Sequence, residues 1–210
     1  MSSFPVAFRS QQQAPDARFP VVAARGSACP VVLAAEDGDV RWVAVRALSV
    51  QAQREGHVRE TFAIRRGAGD VLVTDTRVVL VGSRPTTDTL MTGHVLLDWI
   101  VAVGGCTSGS RFRDDALRLV LQFEDGEYHV VTLTFEDDVD VHELAQDIAR
   151  RTARRWLSVQ GASSLVRDWE ALAEAPRLVA EEGEFALHVA PSHTRVAAPA
   201  IGLERGGVPA

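Results

Sequence analysis

The residues of this 210-residue chain whose types could do chemistry are six histidines, two cysteines and several arginine clusters. Their spacing decides which reactions are open. His57, His94, His129, His142, His188 and His193 are scattered, and "HELAQ" from His142 lacks the second imidazole that a helical H-E-x-x-H zinc site needs. No metal ligand set and no cofactor are expected. Cys29 and Cys106 match no C-x-x-C pattern, so neither a zinc site nor a disulfide framework is indicated. Cys106 lies near Ser108 and Ser110 in "GGCTSGS", but nothing local supplies a base to form a thiolate. That glycine-rich piece leads from a strand into a loop rather than a helix, so it lacks the amide cradle of a phosphate site. A G-x-S-x-G nucleophile elbow is absent as well. With no catalytic residues to name, the chain is expected not to be an enzyme.

Arg150, Arg151, Arg154 and Arg155 form the densest cationic cluster. Two readings apply. The first is a solvated helix end paired with acids such as Asp147. The second is a docking surface for an acidic protein partner, because guanidinium groups grip carboxylates bidentately.

The elements that position these residues follow from periodicity. "VDVHELAQDIARRTARRWL" places Val141, Leu144, Ala145, Ile148, Thr152 and Trp156 on one helical stripe, with Arg150 and Arg154 on the far side. Acids crowd its start and arginines its end, the order that complements the helix dipole. Upstream the period is two. In "GDVLVTDTRVVLVG", Val71 and Val73 share one face, as do Val79 and Val81, and Thr-Asp-Thr-Arg supplies the polar side chains of a tight reversal. "GHVLLDWIVAVGG" reads as one strand with Val95, Leu97, Trp99, Val101 and Val103 facing a core. "LRLVLQF" and "YHVVTLTF" flank the Asp-Gly of "EDGE" as a second hairpin. "VRWVAVRALSVQAQREG", after Asp39 as a cap, predicts a helix, with Val40, Val43, Ala44, Ala47 and Gln51 at helical spacing, although Val43, Val45 and Ala47 also alternate. A shorter amphipathic helix carries Leu165, Trp169, Leu172 and Ala173 and stops near Pro176, and "EFALHV" reads as a last strand. Trp42, Trp99, Trp156 and Trp169 are read as packing residues.

Composition narrows the class of partner. The formal net charge is −6 and all 22 cationic side chains are Arg, a bias that suggests a GC-rich genome. An acidic chain is a poor match for the phosphate backbone, so nucleic acid is not an expected partner. No stretch reads as a signal peptide or a membrane-spanning helix, which points to a soluble cytoplasmic protein.

A meander of about six strands followed by a long amphipathic helix, with Leu72, Thr74, Arg77 and Val79 in an "lT-x-x-R-l" turn, resembles the GRAM and bacterial pleckstrin-homology-like (PH-like) families. The resemblance implies an α+β, mainly β fold: a bent antiparallel sheet or partly open barrel capped by the C-terminal helix, with extra N- and C-terminal helices. Within it Arg77 anchors the turn. It also implies an anionic-headgroup site on the loop "RRGAGD", at Arg65 and Arg66, with Arg111 and Arg113 as a second cluster. Against that, residues 57–160 hold 12 Arg to 16 Asp and Glu, and acids flank both clusters.

The expected organisation is a disordered N-terminus over 1–20, a helical extension over 21–56, the PH-like domain over 57–160, a C-terminal helical extension over 161–190 and a disordered tail over 191–210. The expected function is a non-enzymatic protein–protein interaction or scaffold module that can also form homo-oligomers. The alternative is a peripheral membrane adaptor using Arg65 and Arg66.

Overall fold

The computed structural model of the protein describes residues 9–10, 21–23, 30–33, 35–54, 57–64, 69–84, 89–107, 115–122, 128–135, 139–160, 170–171, 173–174, 179–181 and 184–188. In chain order the strands are β1 (Arg9–Ser10), β2 (Val21–Ala23), β3 (Pro30–Val32), β4 (Arg41–Val45), β5 (Ala47–Arg54), β6 (His57–Ile64) and β7 (Gly69–Val73). They continue as β8 (Arg77–Arg84), β9 (Thr89–Leu96), β10 (Ile100–Cys106), β11 (Ala116–Gln122) and β12 (Tyr128–Thr134), and after helix α1 (Val141–Gln160) as β13 (Val179–Glu181) and β14 (Glu184–His188). The fold is α+β and mainly β. Two antiparallel sheets, ordered β1-β9-β8-β7-β4 and β13-β14-β10-β11-β12-β5-β6, do not close into a barrel, and β2 pairs with β3 apart from them.

The expected helix at residues 40–51 is instead the strand pair β4 and β5. Val43 and Val45 point into the core, and after Arg46 the inward set becomes Leu48, Val50 and Ala52. That slip of one residue breaks the period of two and leaves a spurious helical spacing. At the break the Arg46 amide donates to the Thr134 carbonyl at 2.8 Å. β4 then belongs to the first sheet through β7, and β5 to the second through β12. The chain before residue 57 is therefore built into both sheets, and β14, after residue 160, pairs with β10. The structural unit extends past the expected 57–160 on both sides.

A second correction concerns residues 94–103, which are not one strand. A 3-10 turn at Leu97–Trp99 separates β9, in the first sheet, from β10, in the second. The register also shifts between Ile100 and Ala102, so Val95, Leu97, Ile100 and Val103 reach the main core while Val101 packs with Ala102 and Val120 on the other side of β10. Trp99 is only partly buried against the core.

The β7–β8 hairpin forms as its residues predict, with Leu72 opposite Val79 and Val73 opposite Val78. Both of its faces are buried. Val71, Val73, Val78 and Leu80 enter the main core, while Leu72, Val79 and Val81 are covered by Leu33 and Val40 from the segment before β4 and by Trp42 on β4. Helix α1 starts at Asp140, whose carboxylate accepts the Glu143 amide at 2.9 Å in N-cap fashion. Its stripe of Val141, Leu144, Ala145, Ile148 and Ala149 is buried in the main core against β10, β11 and the 97–99 turn. Each large aliphatic side chain so buried contributes roughly 1.5–3 kcal/mol. Most of the expected C-terminal helix lies outside the described residues; Ala173, which is helical, packs on Ala153 of α1. Among the described residues no helix is long and apolar enough to cross a membrane. The expected disordered ends, 1–20 apart from β1 and 191–210, lie outside the described residues.

Candidate functional site

A network of polar side chains converges on the turn between β7 and β8. Asp37 closes a 3-10 turn at Ala35–Asp37 and is 1% exposed. Its Oδ1 accepts from the Thr74 hydroxyl at 3.0 Å, from Arg77 Nε at 3.1 Å and from the Thr76 hydroxyl. Its Oδ2 accepts from Arg77 Nε at 3.2 Å and from the terminal guanidinium nitrogen at 2.5 Å. The other terminal nitrogen of Arg77 lies 3.2 Å from His94 Nδ1. Thr74 closes the turn itself. Its Oγ1 accepts the amides of Thr76 and Arg77, and its single proton has the Arg77 carbonyl at 2.8 Å as an alternative to Asp37. Arg77 therefore anchors the turn, as expected, through a buried ion pair.

A second layer fastens the same turn to α1. The Asp75 amide donates to the Asp37 carbonyl at 2.9 Å, and an Asp75 carboxylate oxygen accepts the Asp39 amide at 3.3 Å. Gly38 between them has φ +56°, a left-handed backbone that favours glycine, and a Cβ there would force the Asp75 carboxylate to shift. Arg151 reaches across from α1 to Asp75 Oδ1 at 2.7 Å, the Asp39 carbonyl at 2.9 Å and Asp147 at 3.0 Å. Burial disfavours its charge, but the hydrogen bond to Asp147 and the charges of Asp147, Asp75 and Asp39 outweigh this and hold its pKa above the ordinary value. Arg41 on β4 bonds Glu143 at 3.0 Å, and Arg155 bonds Asp98 at 2.9 Å. The network thus joins the 35–41 segment, the hairpin turn, the 97–99 turn and α1.

Chemically this arrangement is a clamp. A general base needs a lone pair facing a substrate. Both oxygens of Asp37 are instead engaged by donors of the protein and shielded from solvent.

The four arginines of the cationic cluster divide by helical phase. Arg151 is buried in the clamp and Arg155 is half-buried on Asp98, whereas Arg154 is exposed and Arg150, one turn before it, is half-buried. Among the described residues no carboxylate lies within ion-pair distance of Arg150 or Arg154. Arg65, Arg66, Arg111 and Arg113 lie outside the described residues, as do Cys29, Trp169 and His193. Among the described side chains the histidines lie apart: His57 is exposed on β6, His94 faces Arg77, His129 is buried on β12 and His142 is half-buried on α1. No group of three or more His, Cys, Asp or Glu among the described residues is arranged to hold a metal. Cys106 is a half-buried free thiol at the end of β10, and Gly104 and Gly105 sit inside that strand rather than in a phosphate loop.

Sequence reasoning missed Asp37, Asp39, Asp75 and Asp98 as the partners of these arginines. A signal existed in "EDGD", where a glycine separates acids just before a strand. Pairing it with Arg77 needs a contact spanning 40 residues.

No protein-family model matches the sequence, and no curated protein sequence does. Among solved structures, a reovirus attachment protein, sigma1, determined in complex with alpha-2,3-sialyllactose, aligns at 14% identity over 64% of this chain and 84% of that one. With a TM-score of 0.16, the alignment carries no argument about fold or ligand.

Proposed function

We propose that the chain is a non-enzymatic protein–protein interaction module built on a PH-like domain, working in the cytoplasm and presenting α1 to an acidic partner. The observation that carries this reading is the separation of the arginines. Arg151 and Arg155 hold the helix in place, and Arg150 and Arg154 stand outward from it with no carboxylate of the described residues in ion-pair range. A guanidinium pair on a fixed helix loses little entropy on binding and can grip carboxylates by paired hydrogen bonds.

The PH-like assignment draws support from the order of elements. β7, β8 and β9 follow one another in one sheet, β10, β11 and β12 in the other, the continuous β4–β5 stretch joins both, and the helix comes next.

The test is fluorescence anisotropy with a dye-labelled, glutamate-rich peptide at physiological salt. The variant Arg150→Glu/Arg154→Glu should weaken binding by about tenfold, equivalent to ~1.4 kcal/mol. Equal binding by the folded variant contradicts the reading, and so does a reproducible hydrolase or transferase activity of the wild-type protein. Flotation with phosphatidylserine vesicles that is lost in Arg65→Glu/Arg66→Glu would favour the membrane adaptor instead.

A further inference from the structure

Trp42, Leu72, Val79 and His94 form a row across the first sheet, each residue opposite the next on β4, β7, β8 and β9. The segment before β4 lies over the middle of that row as a strap, with Leu33 and Val40 packed against the cluster of Leu72, Val79 and Val81. Its fastening is Asp37. The carboxylate holds Thr74, Thr76 and Arg77, and the carbonyl takes the Asp75 amide.

One arm of that fastening meets a group that titrates near neutrality: Arg77 Nη1 lies 3.2 Å from Nδ1 of His94, which is half-buried. A guanidinium has only donors, so Nδ1 is the acceptor and the ring is neutral, with its proton on Nε2. Protonation would set donor against donor and cation against cation. The charged groups that the described contacts bring to His94 are Arg77 of β8, in contact, and Asp37 of the strap, which is bound along another edge of the same guanidinium. β9 itself holds no other ionisable residue.

We propose that His94 is a pH switch for the strap: neutral, it completes the Arg77 clamp, and protonated, it pushes on Arg77 and frees residues 35–40 to lift from Leu72, Val79 and Val81. The closed strap favours the neutral ring, so the contribution is fully present above the ordinary histidine pKa of about 6.5 and is lost as pH falls below it. Acid thus loosens the strap.

Thiol labelling reads the lifting directly. In a Cys29→Ser/Cys106→Ser background, Val79→Cys puts a thiol under the strap, and Val73→Cys puts one in the main core on the opposite face of the hairpin. Rates with an aromatic disulfide reagent are divided by those of an unstructured cysteine peptide at the same pH. The proposal predicts that position 79 reacts faster than position 73, and that its corrected rate rises about tenfold from about pH 7.5 to about pH 5.5. His94→Gln, whose amide oxygen still accepts from Arg77, should remove the rise. Nitrogen NMR of the native protein needs no substitution, and should find the His94 proton on Nε2 and a titration below about 6.5. The proposal is overturned if position 79 reacts no faster than position 73 in acid, or if its corrected rate fails to rise or rises equally in His94→Gln. It is equally overturned if native His94 carries its proton on Nδ1 or titrates at or above about 6.5.

Discussion

At the scale of single residues, the Asp37–Arg77 pair makes the strongest claim, because both charges are buried and each is the other's compensation. Asp37→Ala should lower the unfolding free energy by about 3–5 kcal/mol in urea titrations, the cost of leaving a buried charge without its partner. Replacing both, as in Asp37→Leu/Arg77→Met, should recover most of that loss. Gly38→Ala should cost roughly 1–2 kcal/mol for the left-handed backbone alone, before the contact with Asp75 is counted. Asp70 behaves differently. Burial on β7 raises its carboxyl pKa above 3.8, so the folded state binds protons more readily than the unfolded one and stability falls as pH rises through that raised value. Asp70→Asn should therefore raise the melting temperature at pH 7, with a gain that shrinks on acidification. The anchoring role of Arg77 was legible because a turn shows itself locally in "TDTR". Its partner was not, since nothing local marks Asp37.

At the scale of elements, legibility follows how local each element's pattern is. The α1 stripe repeats without interruption and needed no context. Ile148→Ala should cost about 2–5 kcal/mol by removing core volume, whereas Arg154→Ala on the outer face should change stability by no more than ~0.5 kcal/mol, both read from urea midpoints. β4–β5 was misread because the inward positions change phase at Arg46, where the chain leaves one sheet for the other. Residues 94–103 failed for the same reason, with the 97–99 turn carrying the chain between sheets. In both cases alternation was present on either side of the break. Only long-range pairing says where it restarts.

At the scale of the whole molecule, the mainly β class with a helix packed into the core was legible, while the boundaries were not. Strands from before residue 57 and after residue 160 complete the sheets, and a sheet edge gives no sign in sequence of which distant segment will cover it. The polar network gives this architecture its division of labour: Arg151 and Arg155, turned inward, fix the helix, and Arg150 and Arg154 have no carboxylate of the described residues in ion-pair range. Residue-resolved phenylglyoxal modification, followed by mass spectrometry on the native protein, tests that division most directly. The account predicts rapid modification of Arg154, intermediate modification of Arg150, and Arg77 and Arg151 slower than Arg154 by roughly tenfold or more, because reaching them requires local opening. Modification of Arg77 or Arg151 as fast as that of Arg154 would contradict it.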